Sequence, residues 1–120
     1  KVIIDDLQEE EKIFYVTQGR YDQLFYDSFR ELYYRIVKKP MDYYNLNGKP
    51  QWEPDFKYAV MILDAEFRLI NEIELPGRTY NPSLATVTQD GLLISLNNPA
   101  NQGMDEDHIY FQVFKPMQNL

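Results

Sequence analysis

The sequence predicts an all-β fold of antiparallel four-stranded units, the blades of the C-terminal part of a β-propeller, with a small β-sandwich as the alternative. Three observations predict it. The apolar residues are mainly Tyr, Phe, Ile, Leu and Val, with ten tyrosines and seven phenylalanines in 120 residues; such side chains suit a pleated, half-buried surface. Short apolar runs recur along the chain, each closed by acidic, glycine or proline turn residues, while helical spacing is scarce. The order strand, acidic turn, strand, long polar loop, buried strand occurs twice, as a repeated blade requires.

Residues 1–20 read as a connecting or preceding-blade segment. In "DDLQEEEKIF" the only spaced apolar residues are Leu7 and Phe14, around an acidic run, so a turn or a solvated helix is expected there. "KIFYVTQ" reads as a short strand. Residues 21–77 form the first blade-like unit. "YDQLFYD" alternates, with Tyr21, Gln23, Phe25 and Asp27 on one side. "LYYRIV" returns after a hairpin-length gap. The loop "KKPMDYYNLNGKPQWEPDFK" follows, then "YAVMILD", whose continuous apolar run suits a central, doubly buried strand. "LINEIEL", stopped by Pro-Gly, completes the unit. Residues 78–120 form the second. "LATVTQDGLLISL" is a hairpin around Gln-Asp-Gly, the polar loop "NPANQGMDED" follows, and "HIYFQVF" is the last strand. Its outer strand is missing or supplied by another segment, which matters because an open edge invites aggregation.

Composition excludes several functions. A net charge of −7 and a pI near 4.6 disfavour nucleic acid and anionic membranes, which need clustered Lys and Arg. No apolar run approaches the length that spans a bilayer. The chain has no cysteine, hence no disulfide, thiolate metal site or Cys nucleophile. It opens on "KVIID", which looks like the inside of a longer protein.

"YDSFRELYYRI", "VMILDAEFRLINEIELP" and "TQDGLLISL" together resemble the C-terminal region of a family of propeller-like proteins filed as a domain of unknown function. These are mostly lipoproteins of Gram-negative gut anaerobes. The likeness runs from about Tyr21 to Met117. It implies a six-bladed architecture and a cell-envelope location, periplasmic or surface-tethered. It carries no activity, so no catalytic residue transfers. The anchoring cysteine of a lipoprotein would lie upstream of Lys1.

The candidate chemistry is sparse. His108 stands alone; a zinc site needs further ligands, and Ser28, Ser83 and Ser95 lie in no nucleophile elbow. His108 therefore reads as the start of the last strand at a loop edge. Glu72 and Glu74 share one face of a strand and read as the wet side of an outer strand. Asp27 and Asp90 hold equivalent turn positions and read as turn formers. Asn97, Asn98, Asp105, Glu106 and Asp107 have a calcium-like composition without the spacing of a calcium loop; Asp105 and Asp107 are its weak candidates, and a solvated loop is the simpler reading. No glycine cluster cradles phosphate, and no cofactor is expected.

The aromatic residues remain. On "LYYRIV", Tyr34 shares a face with Leu32 and Ile36 and reads as core. Tyr33 shares the other face with Arg35 and reads as its cation–π partner at a surface or blade interface. The loop holding Tyr43, Tyr44, Trp52 and Phe56 is the binding candidate, since aromatic faces beside hydrogen-bonding groups suit a sugar ring or a partner's anchor. Its plainer alternative is a cap over the sheet. The sequence thus predicts a non-catalytic binding or scaffold module at the cell envelope, for a glycan or a protein partner. The alternatives are a glycan-acting enzyme using channel carboxylates and a purely structural closing blade.

Overall fold

The computed structural model describes residues 2–105 and 107–116, with side chains from Glu9 onward. Its order is α1 (Val2–Thr17), β1 (Arg20–Asp27), β2 (Leu32–Lys38), a 3-10 turn at Glu53–Asp55, β3 (Tyr58–Leu63), β4 (Leu69–Leu75), β5 (Asn81–Thr88), β6 (Gly91–Ser95) and β7 (Phe111–Phe114). Apart from α1 the fold is all-β. The strands form two antiparallel sheets, β1-β2-β3-β4 and β5-β6-β7, each a simple meander that does not close into a barrel.

The sheets pack face to face. Period-two alternation puts Tyr34 and Ile36 of β2, Val60 and Ile62 of β3 and Leu75 of β4 on one face of the first sheet, where they meet Leu92 and Ile94 of β6. All seven are buried, and Phe25, Ile73, Tyr80, Val87 and Phe114 pack around them. "YAVMILD" lies centrally between β2 and β4, and the exposed Glu72 and Glu74 are on the outermost strand. The opposite face of the first sheet leaves Tyr21, Leu24, Tyr26 and Leu69 exposed.

Four expectations are corrected. "KIFYVTQ" is not a strand: α1 runs through it to Thr17. Gln, Glu and Lys upstream are good helix formers, and the helix end is held from outside itself. The buried Lys38 ammonium of β2 donates to the carbonyls of Val16 (2.6 Å) and Gln18 (2.8 Å), and Val16 is fully buried. This cation satisfies carbonyls that a helix C-terminus leaves without partners. Tertiary contact here overrides the β-branched and aromatic content of the segment.

The second correction concerns β1. Its register slips between Tyr21 and Leu24, so Tyr21 lies opposite Val37 and Leu24 opposite Arg35. The bulge turns Tyr21 onto the outer face with Leu24 and Tyr26, away from Phe25 and Asp27. The third follows from it. The Arg35 guanidinium lies 5.2 Å from the Tyr21 ring centroid, while Tyr33 packs between Tyr26 (4.9 Å) and Phe67 (4.3 Å, stacked). Arginine and tyrosine do pair on that face, but with a different tyrosine. Fourth, β7 begins at Phe111, so His108 sits in the preceding turn. Its Nδ1 lies 3.1 Å from Asp105 Oδ2.

Among the described residues no helix is long and apolar enough to cross a membrane.

Candidate functional site

The long loop between β2 and β3 divides into two parts. In the first, Asn45 Oδ1 accepts from the amides of Asn47 (2.9 Å) and Lys49 (3.0 Å), and Gly48 takes a positive φ of 76°. This side-chain-built turn brings Tyr44 into a bridge with Pro50. Tyr43 and Tyr44 meet edge to face at 4.9 Å. The Tyr43 hydroxyl donates to Glu9 Oε2 at 2.6 Å, and that carboxylate pushes its pKa up to about 12. Tyr43 therefore ties the loop to α1. Tyr44, 57% exposed, borders a shallow hollow of about 480 Å³ with Met41, Leu46 and Gln51.

The second part is tighter. Trp52 N donates to Asp55 Oδ2 (3.1 Å) and Asp55 N to Trp52 O (2.8 Å), fixing the 3-10 turn. Phe56 is 1% exposed, so it cannot meet a ligand as the sequence suggested. It meets the Tyr15 ring at 5.4 Å and has the Lys38 ammonium 4.5 Å above it. Trp52 packs on Tyr15 at 5.4 Å and stays 40% exposed. The four aromatic residues thus part company: Phe56 caps the core, Tyr43 is an anchor, and Trp52 and Tyr44 face different hollows.

The hollow beside Trp52 lies at the junction of the two sheets. It has a volume of about 370 Å³, within the range of small-molecule sites, about 300–1,000 Å³. Trp52, Glu53 and Pro54 form one wall, Tyr58 at the start of β3 the back, and Tyr80, Asn81, Pro82 and Ser83 of the β5 entry the other wall. Asn98 is the tie beneath it. Its Nδ2 donates to Pro54 O (3.1 Å) and Tyr80 O (3.0 Å), and its Oδ1 accepts from Ala100 N (2.8 Å). Arg78 reinforces the junction through Pro54 O (2.7 Å, from its amide) and Asp55 Oδ1 (2.9 Å, from its guanidinium). Burial pushes the Tyr58 phenol up to about 12, with the Asp22 carboxylate acting in the same direction, and it also raises Tyr80. Both phenols are neutral hydroxyls at any physiological pH.

Trp52 is the only residue of this cleft among the binding residues the sequence suggested. Tyr58 opens the strand "YAVMILD", and Tyr80 and Asn81 stand between two predicted strands, where nothing in the local pattern marks them. One signal could have found the region: Glu53-Pro54, Asn81-Pro82 and Asn98-Pro99 hold the three prolines of the chain that follow an acid or an amide, and all three pairs line the cleft.

The other candidates are engaged elsewhere. Asn97 Oδ1 accepts from Tyr110 N (2.7 Å) and its Nδ2 donates to His108 O (2.7 Å). Asp105 accepts from Asp107 N (2.8 Å). Glu106 lies outside the described residues, and among those described no three metal-ligating side chains gather. Asp90 occupies the β5–β6 turn and Asp27 the end of β1. Glu74 pairs with Lys39 at 2.6 Å.

The family model described as "Domain of unknown function (DUF4221)" matches residues 3–74. A crystal structure of a DUF4221 member from Bacteroides vulgatus is similar to this chain, with a TM-score of 0.76 and 32% identity over 88% of this chain and 29% of that one. This chain therefore spans less than a third of that protein's length. No curated protein matches it.

Proposed function

The chain belongs to the DUF4221 family, a domain of unknown function, and from that membership we propose that it is a non-catalytic binding module at the cell envelope, built as two blade-like units of a larger propeller. The observation that carries the binding reading is the cleft at the sheet junction, where Trp52, Tyr58 and Tyr80 line one hollow together with Glu53, Asn81 and Asn98. The non-catalytic reading draws support from how the carboxylates are used. Asp27 is engaged by Arg30 and Tyr34, Asp55 by Arg78, Asp64 by Arg68 and Glu74 by Lys39. Backbone and Arg68 hydrogen bonds hold the Asp64 carboxyl below the usual range, opposite to what a general acid needs.

The propeller reading is supported by two meanders packed face to face and by the aromatic outer face of the first sheet, which a neighbouring blade would cover. It is also supported by the second sheet, in which, among the described residues, β7 pairs with β6 alone and leaves room for a fourth strand. The envelope location rests on the family resemblance alone.

A small-molecule screen by amide chemical shifts tests the binding reading. Shifts should cluster at Trp52, Glu53, Tyr80 and Ser83. Shifts confined to other surfaces, or none, would overturn it.

A further inference from the structure

We propose that the cleft between the two sheets takes a neutral sugar ring, laid on the aromatic faces of Trp52 and Tyr80 and held by Asn81, Glu53 and the Tyr58 hydroxyl. This rests on the binding reading above and gives it a ligand class. The first ground is the kind of polar group on offer. Among the described residues, the Trp52 indole N–H, the Tyr58 and Tyr80 hydroxyls and the Asn81 amide nitrogen make no hydrogen bond within the protein, while Asn81 Oδ1 accepts from the Ser83 hydroxyl at 2.6 Å. They supply donor-only, two-way and donor-only groups in turn, and Glu53, whose Oε2 accepts from Tyr15 (3.2 Å), adds acceptors. A sugar presents hydroxyls that both donate and accept around a ring whose C–H faces are apolar. It matches such a mixed, aromatic-walled set better than a purely apolar or purely charged molecule does.

The second ground is charge. Among the described residues Glu53 is the one charged residue lining the cleft, and no described lysine or arginine lines it. A uronic acid, sialic acid or phosphate would bring its anion against that carboxylate, in a chain of net charge −7. A quaternary ammonium would gain from Glu53 and the aromatic faces, but would leave the indole N–H and the Asn81 amide without acceptors.

The third ground is rigidity. Pro54, Pro82 and Pro99 stand around the opening, and the Asn98 amide bonds to both walls. Little conformational freedom is then lost on binding, which matters for a weakly held polar ligand. The volume of about 370 Å³ suits one or two rings in a cleft that stays open at the surface.

The test titrates the emission of Trp52, the single tryptophan, in the full chain. The probes are neutral methyl pyranosides and neutral disaccharides, with glucuronate and tetramethylammonium as comparators. The expected result is a saturable shift with a neutral sugar and none with either charged probe. Asn81→Ala should weaken binding at least tenfold while the chain still melts cooperatively, with only the small shift that loss of the exposed Ser83–Asn81 hydrogen bond brings, and Tyr80→Phe, which keeps the ring against Phe114, should weaken it less. Saturation by glucuronate or tetramethylammonium alone would overturn the sugar assignment while leaving a binding site in place. No response to any probe would overturn it too, and the small-molecule screen then says whether the cleft binds anything. A sugar response untouched by Asn81→Ala and Tyr80→Phe would place the sugar elsewhere and overturn it as well.

Discussion

Asp27 shows what the tyrosine- and arginine-rich stretch is for. Its carboxylate is fully buried, with Oδ1 accepting from the amides of Phe29 (3.0 Å) and Arg30 (3.1 Å) and Oδ2 from the Arg30 guanidinium (3.1 Å) and the Tyr34 hydroxyl (2.6 Å). Arg30 reaches on to Gln89 O at 2.8 Å, so one buried acid closes the β1–β2 turn and ties it to the β5–β6 turn of the other sheet. Burial, then the hydrogen bond to Asp27, raises the Tyr34 pKa above its ordinary range. Removing one partner of such a network strands the others in a low dielectric. Asp27→Ala should cost about 3–5 kcal/mol, against about 1.5–3 kcal/mol for Tyr34→Phe, which loses one hydrogen bond to a charged group. Urea midpoints at constant m-value would check the order.

Among the described residues Lys38 is the other buried charge. Its third hydrogen bond goes to Lys39 O at 3.1 Å, so three carbonyls hold the ammonium. Burial, helped by the charge of Arg20, still lowers its pKa to about 8. The unfolded chain then binds more protons between about pH 8 and about pH 10. This group should therefore make stability rise with pH across that window. Lys38→Met should abolish the rise and strand the α1 carbonyls at a cost of about 1–3 kcal/mol, seen as lost helical circular dichroism.

At the scale of elements, the two glycines with positive φ make different predictions. Gly91 has φ 130° at the start of β6, and a Cβ there would collide with the Phe114 carbonyl of β7. Gly48, with φ 76°, has nothing within 4 Å of a Cβ. Gly48→Ala should cost about 1–2 kcal/mol, the left-handed penalty alone. Gly91→Ala should cost more, because the β6–β7 pairing must shift as well. Thermal melts of the two variants would show it, with faster amide exchange at Phe111–Phe114 in Gly91→Ala only. The bulge in β1 belongs to the same scale: it re-aims Tyr21 beneath Arg35.

For the whole molecule, the tyrosines set the alkaline limit. Tyr58 is raised to about 12 mainly by burial, and Tyr34 is raised further for the same first reason. A folded pKa above the unfolded value means that the fold holds these protons more tightly. The stability this represents is complete below about pH 10 and is lost as pH rises through about 12. The joint contribution of Lys38, Tyr34 and Tyr58 to stability should thus be greatest near pH 10, where the rise from Lys38 ends. Phenolate absorbance should show Tyr58 and Tyr34 ionising late, as the fold is lost.

The sequence by itself determined where β2, β3, β4 and β6 lie and where the hairpins turn, because period-two alternation and turn residues act locally. "LINEIEL" is β4 residue for residue, and Gln-Asp-Gly is the β5–β6 turn. It also determined which tyrosine of "LYYRIV" is core, since Tyr34 shares a face with Ile36. Tertiary structure alone decided that "KIFYVT" is helical, because the Lys38 ammonium and Phe56 that hold its end lie more than twenty residues away. It decided the partner of Arg35, because a bulge is a property of two strands. It decided the cleft, because Trp52, Tyr58, Tyr80 and Asn98 are brought together by the packing of one sheet on another, and local sequence carries no record of that distance.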